Sequence, residues 1–253
     1  MEQTDIRALR LQVAALERGT RGHAAAPTLP FGVTAIDRHL PGGGVALGAV
    51  HEIAAAGAEV EHGGAPALLA ASLLARRPGP VLWILARRDL FAAGLAGAGL
   101  DPRRLVLVEA RRDALQAMEE GLRDSALAGV VCELEGRFGL LASRRLQLAA
   151  EASDTLGLVL RRSRRFDDPA LSAPSAATSR WRVGGVPSPP PLSHAPSVPG
   201  LGRPVWRLDL ARCRGAAPAT WTVEAPDAQG RLALATVLVD RPAAPAPLRR
   251  AAG

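Results

Sequence analysis

The chain has 253 residues, of which 48% are hydrophobic and 3% aromatic, so it is long enough for one large α/β domain with a core mainly of Leu, Val and Ala. Its formal net charge is +7, and every fixed side-chain cation is arginine because the sequence contains no lysine. The lack of lysine excludes phosphate-binding loops that use a lysine and enzymes that form a Schiff base through one. The basic balance is compatible with nucleic acid or an acidic protein as a partner.

The two cysteines and the hydropathy pattern indicate a cytoplasmic protein. Cys132 and Cys213 lie far apart in no metal-ligand spacing, so they predict neither a disulfide framework nor a zinc site, and we expect no cofactor and no metal. No apolar segment approaches the roughly 18 residues of a membrane span. The N-terminal residues carry acids and lack the continuous apolar core of a signal peptide.

The N-terminal segment, residues 1–20, is predicted to contain an amphipathic helix over residues 4–18. One face of this helix carries four apolar side chains, those of Ile6, Leu9, Val13 and Leu16. An isolated helix of this length is not stable in water, so it must pack on another surface. That surface is either its own domain or another subunit or partner, and in the second case the four side chains form a partner-binding site.

From residue 50 onwards, short apolar runs alternate with helical patterns. The predicted strands are 50–53, 81–85, 105–108, 130–134 and 156–160, and the predicted helices are 66–76, 90–97, 113–128 and 140–152. Continuous apolar strands that alternate with helices are typical of a mostly parallel sheet covered on both faces. Right-handed crossovers then give a doubly wound layout.

The pattern changes after residue 160. Residues 166–203 are rich in proline and predicted to form a mobile loop or linker, with a short strand at residues 181–183 as the exception. Strand-like segments return at residues 205–210, 220–224 and 232–238, so residues 204–240 are predicted to complete the core sheet as an antiparallel meander. Residues 241–253 are predicted to be a disordered tail.

A strand–loop–helix order around residues 42–67 has the layout of a phosphate-binding loop. A working loop ends in Gly-Lys-Ser/Thr, in which the lysine binds the β- and γ-phosphates and the hydroxyl binds Mg²⁺. Here the corresponding residues read Gly-Gly-Ala-Pro at 63–66, and Glu59 and Glu61 add negative charge. The candidate nucleotide-binding residues of this degenerate, inactive loop are Gly57, Gly63 and Gly64.

Acidic residues near the other strand ends offer little for catalysis. Glu133 and Glu135 lie at the end of the fourth predicted strand, where chain polarity accounts for them without Mg²⁺. Arg87 and Arg88 follow the second strand and cannot act as bases. Asp89 is predicted to cap the helix that follows. We therefore predict no catalytic residue and no enzymatic activity.

Several motifs resemble the RecA family and, within it, the ImuA family. The resemblance to RecA proteins lies in FGVTAIDRHLPGGGVALGAVHEI at 31–53 and AGLDPRRLVLV at 98–108. The resemblance to the ImuA family adds WRV at 181–183, PVWRLDLARCRG at 204–215, WTVEA at 221–225 and DAQGRL at 227–232. The whole resemblance covers about residues 29–240.

This resemblance implies a RecA-like three-layer core over residues 29–165, with helices on both faces of a mostly parallel sheet and antiparallel strands added by the C-terminal part. It implies a non-catalytic adaptor in SOS-induced error-prone DNA synthesis across lesions. The implied partners are ImuB, which is a Y-family-polymerase-like adaptor, an alternative DNA polymerase III α-type subunit, and RecA. Two alternatives are a divergent DNA-stimulated ATPase and an inhibitor that caps RecA filaments through the residue 4–18 helix.

An arginine cluster follows the fifth predicted strand, roughly where RecA-type proteins place a DNA-facing loop. The candidate contacts to single-stranded DNA or an acidic partner are Arg161, Arg162, Arg164, Arg165, Arg180 and Arg182. Such phosphate contacts weaken as salt rises. A solvated strand end is the alternative interpretation of the cluster. Trp181 and Trp206 are expected in the core, with base stacking as the alternative.

Overall fold

The computed structural model describes residues 27–57, 59–163, 165, 168–190, 192, 195, 198 and 202–235. The predicted N-terminal helix with Ile6, Leu9, Val13 and Leu16 lies outside these residues, as do Arg164 and the predicted tail at 241–253.

Eleven strands are defined within the described residues. They are β1 (Thr28–Leu29), β2 (Val45–Ala46), β3 (Val50–Ala55), β4 (Val81–Leu85), β5 (Leu105–Glu109), β6 (Gly129–Glu135), β7 (Gly157–Arg162), β8 (Ser179–Val186), β9 (Val205–Cys213), β10 (Ala219–Glu224) and β11 (Ala233–Leu234). Strands β1 and β2 form a separate antiparallel pair. The other nine form one sheet in the order β11-β10-β9-β8-β3-β7-β6-β4-β5.

The helices of the described residues lie between these strands. They are α1 (Thr34–Asp37), α2 (Glu59–His62), α3 (Gly64–Ala75), α4 (Ala92–Leu95), α5 (Ala114–Leu122) and α6 (Leu140–Ser153). Five 3₁₀ turns add Pro41–Gly43, Ala96–Ala98, Pro102–Arg104, Arg111–Asp113 and Pro169–Ser172. None of the helices in the described ranges has the length and apolar character needed to cross a bilayer.

The sheet is parallel from β8 through β3 to β5 and antiparallel from β8 to β11. One face of it packs on α3, in a core that includes Ile53, Leu69 and Trp83. The opposite face packs on α5 and α6, in a second core that includes Met118 and Leu146. The predicted fold class is therefore confirmed: an α/β structure with a mostly parallel sheet, helices on both faces and antiparallel C-terminal strands.

Strand β8 corrects the predicted linker at residues 166–203. Its eight residues pair in parallel with β3 and antiparallel with β9, so they lie inside the core sheet. Trp181 and Val183 are buried, because alternate residues of this strand face the α3 side of the core. The prolines of the segment lie on either side of the strand, which is why the surrounding composition hid it.

Other element ends differ from the predicted ones. Helix α5 ends at Leu122 rather than at residue 128, because residues 123–128 turn back towards β6 with Asp124 accepting a hydrogen bond from the Ala126 amide. The pairing of β1 with β2 was not predicted, because two-residue strands leave no periodicity to detect.

The tryptophans pack in the core, as expected. Trp181 and Trp206 are 2% and 4% exposed, and the ring centroid of Phe31 lies 5.1 Å from that of Trp181. The alternative, in which these two rings stack on bases, is therefore wrong, because neither ring reaches the surface.

A buried polar chain fixes the start of β3. The Trp181 indole Nε1–H donates to Ser179 Oγ over 2.8 Å, and the Ser179 hydroxyl lies 2.6 Å from His51 Nδ1. His51 Nε2 lies 2.9 Å from the Ala46 carbonyl. Each polar atom in this series of hydrogen bonds has a partner when His51 is neutral and carries its proton on Nε2. Burial lowers the pKa of His51 to about 4, although the hydrogen bond to Ala46 opposes this shift.

This lowered pKa makes the stability of the fold depend on pH. His51 is neutral in the folded protein and protonates more readily when unfolded, so stability is full above about pH 6.5 and falls as the pH drops towards 4. We expect a contribution of roughly 3 kcal/mol to be lost over that interval. Urea unfolding of His51→Gln should therefore show a shallower dependence on pH than the wild-type protein. Parallel pH profiles for the two proteins would contradict this assignment.

Candidate functional site

The counterpart of the phosphate-binding loop is helical. After β3, α2 occupies residues 59–62, Gly63 adopts right-handed helical angles (φ −60°, ψ −27°), and α3 begins at Gly64. A phosphate nest needs successive amides in alternating right- and left-handed conformations. Gly57, Gly63 and Gly64 all lie outside the left-handed region that Gly79 and Gly99, for example, adopt. The expected glycine-bearing loop is therefore replaced by a helical turn, and its glycines form no phosphate cradle.

A cleft of about 490 Å³ lies beside the start of α3, at the carboxyl ends of the parallel strands. Carboxyl strand ends are where open α/β sheets bind their ligands. The cleft is lined by apolar residues of α3 and α4 and by charged residues that follow β4, β6 and β7, among them Leu68, Phe91, Asp89, Glu133 and Arg162.

The charged residues of the cleft are paired with one another. Arg162 donates to both carboxylate oxygens of Asp89, each over 2.7 Å, and to Glu133 Oε2 over 2.9 Å. Glu133 Oε1 also accepts a hydrogen bond from the Trp83 indole over 3.1 Å. The hydrogen bond from Arg162 is the main cause that lowers the pKa of Asp89. The carboxylates that an NTPase would use for Mg²⁺ or water are thus held by an arginine and an indole.

Asp89 does not cap a helix, in contrast to the prediction. Helix α4 begins at Ala92, and no side chain caps it. The carboxylate of Asp89 points instead to Arg162, on a strand that lies two positions away in the sheet. A bidentate ion pair is stronger than a single capping bond to an amide, so the arginine determines where the side chain goes.

A second charged cluster lies at the centre of the sheet, around the buried carboxylate of Glu52. None of this side chain is exposed, and it is 2.7 Å from Arg161 Nη1 and 2.9 Å from Arg180 Nη2. Ser175 also donates its hydroxyl to Glu52. The three strands involved are neighbours, since β3 lies between β7 and β8.

The two guanidinium groups also hold the segment between β7 and β8. Arg161 donates to the carbonyls of Gly136 and Ala170, and Arg180 donates to the Ala173 carbonyl over 2.6 Å. The ring of Phe138 lies 5.7 Å below the Arg161 guanidinium carbon. The cluster therefore ties the 168–175 segment to the centre of the sheet.

These contacts revise the predicted arginine surface. Arg161 and Arg180 are 3% and 8% exposed, so the prediction that they contact DNA or an acidic partner is wrong: Glu52 draws both of them inside. Arg162 is held by Asp89 and Glu133. Arg165 is exposed, and Arg182 is half-buried with Nη2 3.3 Å from Ser172 Oγ. Of the described candidates, the last two present their charge to solvent.

Glu52 and Ser175 were absent from the predicted site. The signal for Glu52 was a carboxylate inside a predicted strand, which requires a cation partner when the strand is buried. The identity of that cation was hidden, because Arg161 and Arg180 are 109 and 128 residues away in the sequence. No group of three or more His, Cys, Asp or Glu side chains in the described ranges is arranged to hold a metal ion.

Comparison with known proteins identifies the family. No family model matches the chain. Protein ImuA of Caulobacter vibrioides strain NA1000 / CB15N is 43% identical over 223 residues, which cover 84% of this chain and 88% of that protein. The same protein of strain ATCC 19089 / CIP 103742 / CB 15 matches with the same values. The chain belongs to the ImuA family.

A solved structure places this ImuA-family fold among the RecA-like proteins. The RadB recombinase superposes with a TM-score of 0.57 and 15% identity, over 82% of this chain and 100% of that chain. At this identity the likeness concerns the fold alone. The predicted RecA-like core and the predicted membership of the ImuA family are thereby confirmed.

The Glu52 cluster yields a stability prediction for this ImuA-family protein. Removal of one partner from a buried ion pair typically costs about 3 to 5 kcal/mol, because it leaves an uncompensated buried charge. We expect that loss for Glu52→Gln in urea unfolding. Glu135→Gln is the matched control: Glu135 pairs with Arg87 while half-exposed, and its loss should cost less than about 1 kcal/mol. Equal costs for the two variants would contradict the central role of Glu52.

Proposed function

We propose that this ImuA-family protein is a non-catalytic RecA-like adaptor in SOS-induced error-prone DNA synthesis and DNA damage tolerance. In this role it acts through protein contacts with ImuB, with an alternative DNA polymerase III α-type subunit and with RecA. The cytoplasm is the compartment in which such contacts take place. Two observations support this role. The chain belongs to the ImuA family, and its motifs at 31–53 and 204–215 resemble those of RecA proteins and of the ImuA family, respectively.

The cleft beside α3 carries the non-catalytic part of the proposal. A RecA-type ATPase needs a lysine, a hydroxyl and a metal-binding carboxylate around a phosphate loop. This chain has no lysine, its residues 59–75 are helical apart from Gly63, and Arg162 occupies both nearby carboxylates. Among the described residues, the charged groups beside this cleft are already paired, which supports protein contacts rather than turnover as the role of the frame.

Two arginines of the described residues are available for a contact with nucleic acid in the proposed role. Arg165 and Arg182 lie at the carboxyl edge of the sheet, and their guanidinium groups meet solvent. Phosphate contacts require only cations within reach and are sensitive to salt. Single-stranded DNA is therefore a secondary partner in this scheme, whereas the protein partners carry the function.

Nucleotide calorimetry tests the absence of catalysis. We expect no saturable heat when Mg²⁺ and ATP are titrated into the protein, with or without single-stranded DNA, because the cations of the cleft are already paired. RecA serves as the positive control. Saturable ATP binding that is at least about tenfold weaker in Arg162→Ala, a loss typical of a charge-assisted contact, would support the divergent ATPase instead. Arg165→Ala is the matched control outside the cleft.

Direct binding tests the adaptor role. We expect the immobilised full-length protein to retain purified ImuB and purified RecA, and an unrelated immobilised protein to retain neither. Retention of neither partner would contradict the proposal. Binding of single-stranded DNA alone, lost as salt rises and reduced in Arg165→Glu and Arg182→Glu, would favour a nucleic-acid-binding protein over an adaptor.

A further inference from the structure

Helix α6 carries an unusual exposed apolar surface. Three leucines on this helix are exposed: Leu140 by 59%, Leu141 by 80% and Leu148 by 50%. The other face of the helix is buried in the second core. Leu141 and Leu148 are seven residues apart and so lie on the same side of the helix, about 10 Å from each other. We call the surface formed by these three side chains the leucine face.

A segment outside the described residues has a matching pattern. Ile6 and Val13 are also seven residues apart, and Leu9 and Leu16 repeat the same interval on the same side of the predicted helix. A seven-residue repeat of apolar side chains is what two parallel helices need to pack along a seam. The predicted helix at residues 4–18 needs such a surface, since an isolated helix of this length is not stable in water.

The first described residue, Pro27, lies near the C-terminal end of α6, so the segment that precedes it ends there. The Pro27 carbonyl accepts a hydrogen bond from the Leu47 amide over 2.8 Å. The next residue, Gly48, is pressed against the end of α6, because a Cβ there would lie 3.3 Å from the Ala150 carbonyl and 3.0 Å from Asp154 Oδ1. Asp154 is the C-cap of α6. Residues 19–26 extend up to about 27 Å, so a helix that precedes them reaches the whole length of α6.

The shortest connection from Pro27 ends the segment beside the C-terminal end of α6 and so sets its orientation. A segment that ends beside the C-terminal end of α6 and lies along it runs parallel to α6. With residue 18 beside Ser153, the common rise of the two helices places Ile6 opposite Leu141 and Val13 opposite Leu148. Leu9 and Leu16 then lie over the alkyl stems of the exposed Arg144 and over the side of Glu151.

We propose that the residue 4–18 helix docks in cis on the leucine face of α6, in parallel and with Ile6 and Val13 against Leu141 and Leu148. The docked helix covers Leu141, the most exposed apolar side chain of the leucine face, and holds its own four apolar residues away from solvent. These residues then form part of the domain instead of a free partner-binding site. The inference stands on the described surface and does not depend on the proposed function.

Cross-linking in the full-length chain tests the register. Cys213→Ser removes the half-buried thiol, whereas Cys132 stays, because burial raises its pKa to about 12 and leaves it unreactive. We expect Val13→Cys with Leu148→Cys to give an intramolecular product with a short bismaleimide. The product should form at least about tenfold faster than with Leu11→Cys and Leu148→Cys, whose first residue lies on the opposite side of the predicted helix.

The outcomes separate the possible occupants of the leucine face. Equal rates for the two pairs, or a rate matched by Val13→Cys with Val106→Cys on strand β5, would overturn docking at this face. A cross-linked dimer without an intramolecular product would assign the face to a second copy and would also overturn the proposal.

Hydrogen exchange gives a second test that needs no cysteine. We expect residues 6–16 of the wild-type protein to exchange at least about tenfold more slowly than in Leu141→Glu/Leu148→Glu, since docking is what orders the helix. Both substitutions are at exposed positions, so the domain should remain folded. Val106→Glu, at another exposed apolar position, is the matched control and should leave the protection unchanged. Equal exchange in all three proteins would contradict docking.

Discussion

The carboxylate of Glu52 is a negative charge at the centre of the sheet, and the arrangement around it follows from that constraint. A buried carboxylate needs cations and further donors, which here come from Arg161 on β7, Arg180 on β8 and the hydroxyl of Ser175. Because β3 lies between β7 and β8, the same contacts join the parallel half of the sheet to its antiparallel extension. The planar guanidinium groups have further N–H donors, which bind the carbonyls of Ala170 and Ala173 in the segment between β7 and β8.

The same principle applies at the carboxyl edge of the sheet, the edge at which open α/β sheets bind their ligands. Arg162 pairs with Asp89 and Glu133 there, so that charges of both signs are paired within the protein. The neighbouring turn is helical rather than an anion-binding loop. An edge whose charges are paired in this way is consistent with the non-catalytic role that we propose, and the cleft beside it also carries apolar side chains. This combination links the fold to the adaptor role that we propose for it.

The parallel half of the fold was predictable, because β4, β6 and β7 contain continuous apolar runs that leave a strong signal in the sequence. Strand β8 was hidden by flanking prolines, and its place was decided by Glu52 and by pairing with β9, both remote in the sequence. The missing lysine predicts a degenerate phosphate site, and that stays a prediction. The ion pair of Asp89 with Arg162 was not predictable, because an aspartate before a helix has the same local signature whether it caps the helix or binds an arginine 73 residues away.

Hydrogen exchange mapped over the whole chain, with Mg²⁺ and ATP or with ImuB, tests most directly whether this RecA-like frame serves protein contacts instead of nucleotide chemistry. The account predicts that ImuB slows exchange over a contiguous surface, whereas nucleotide leaves the amides of residues 55–66, 86–95 and 160–163 unchanged. Slower exchange at those cleft amides with nucleotide, together with no change on addition of ImuB, would contradict it.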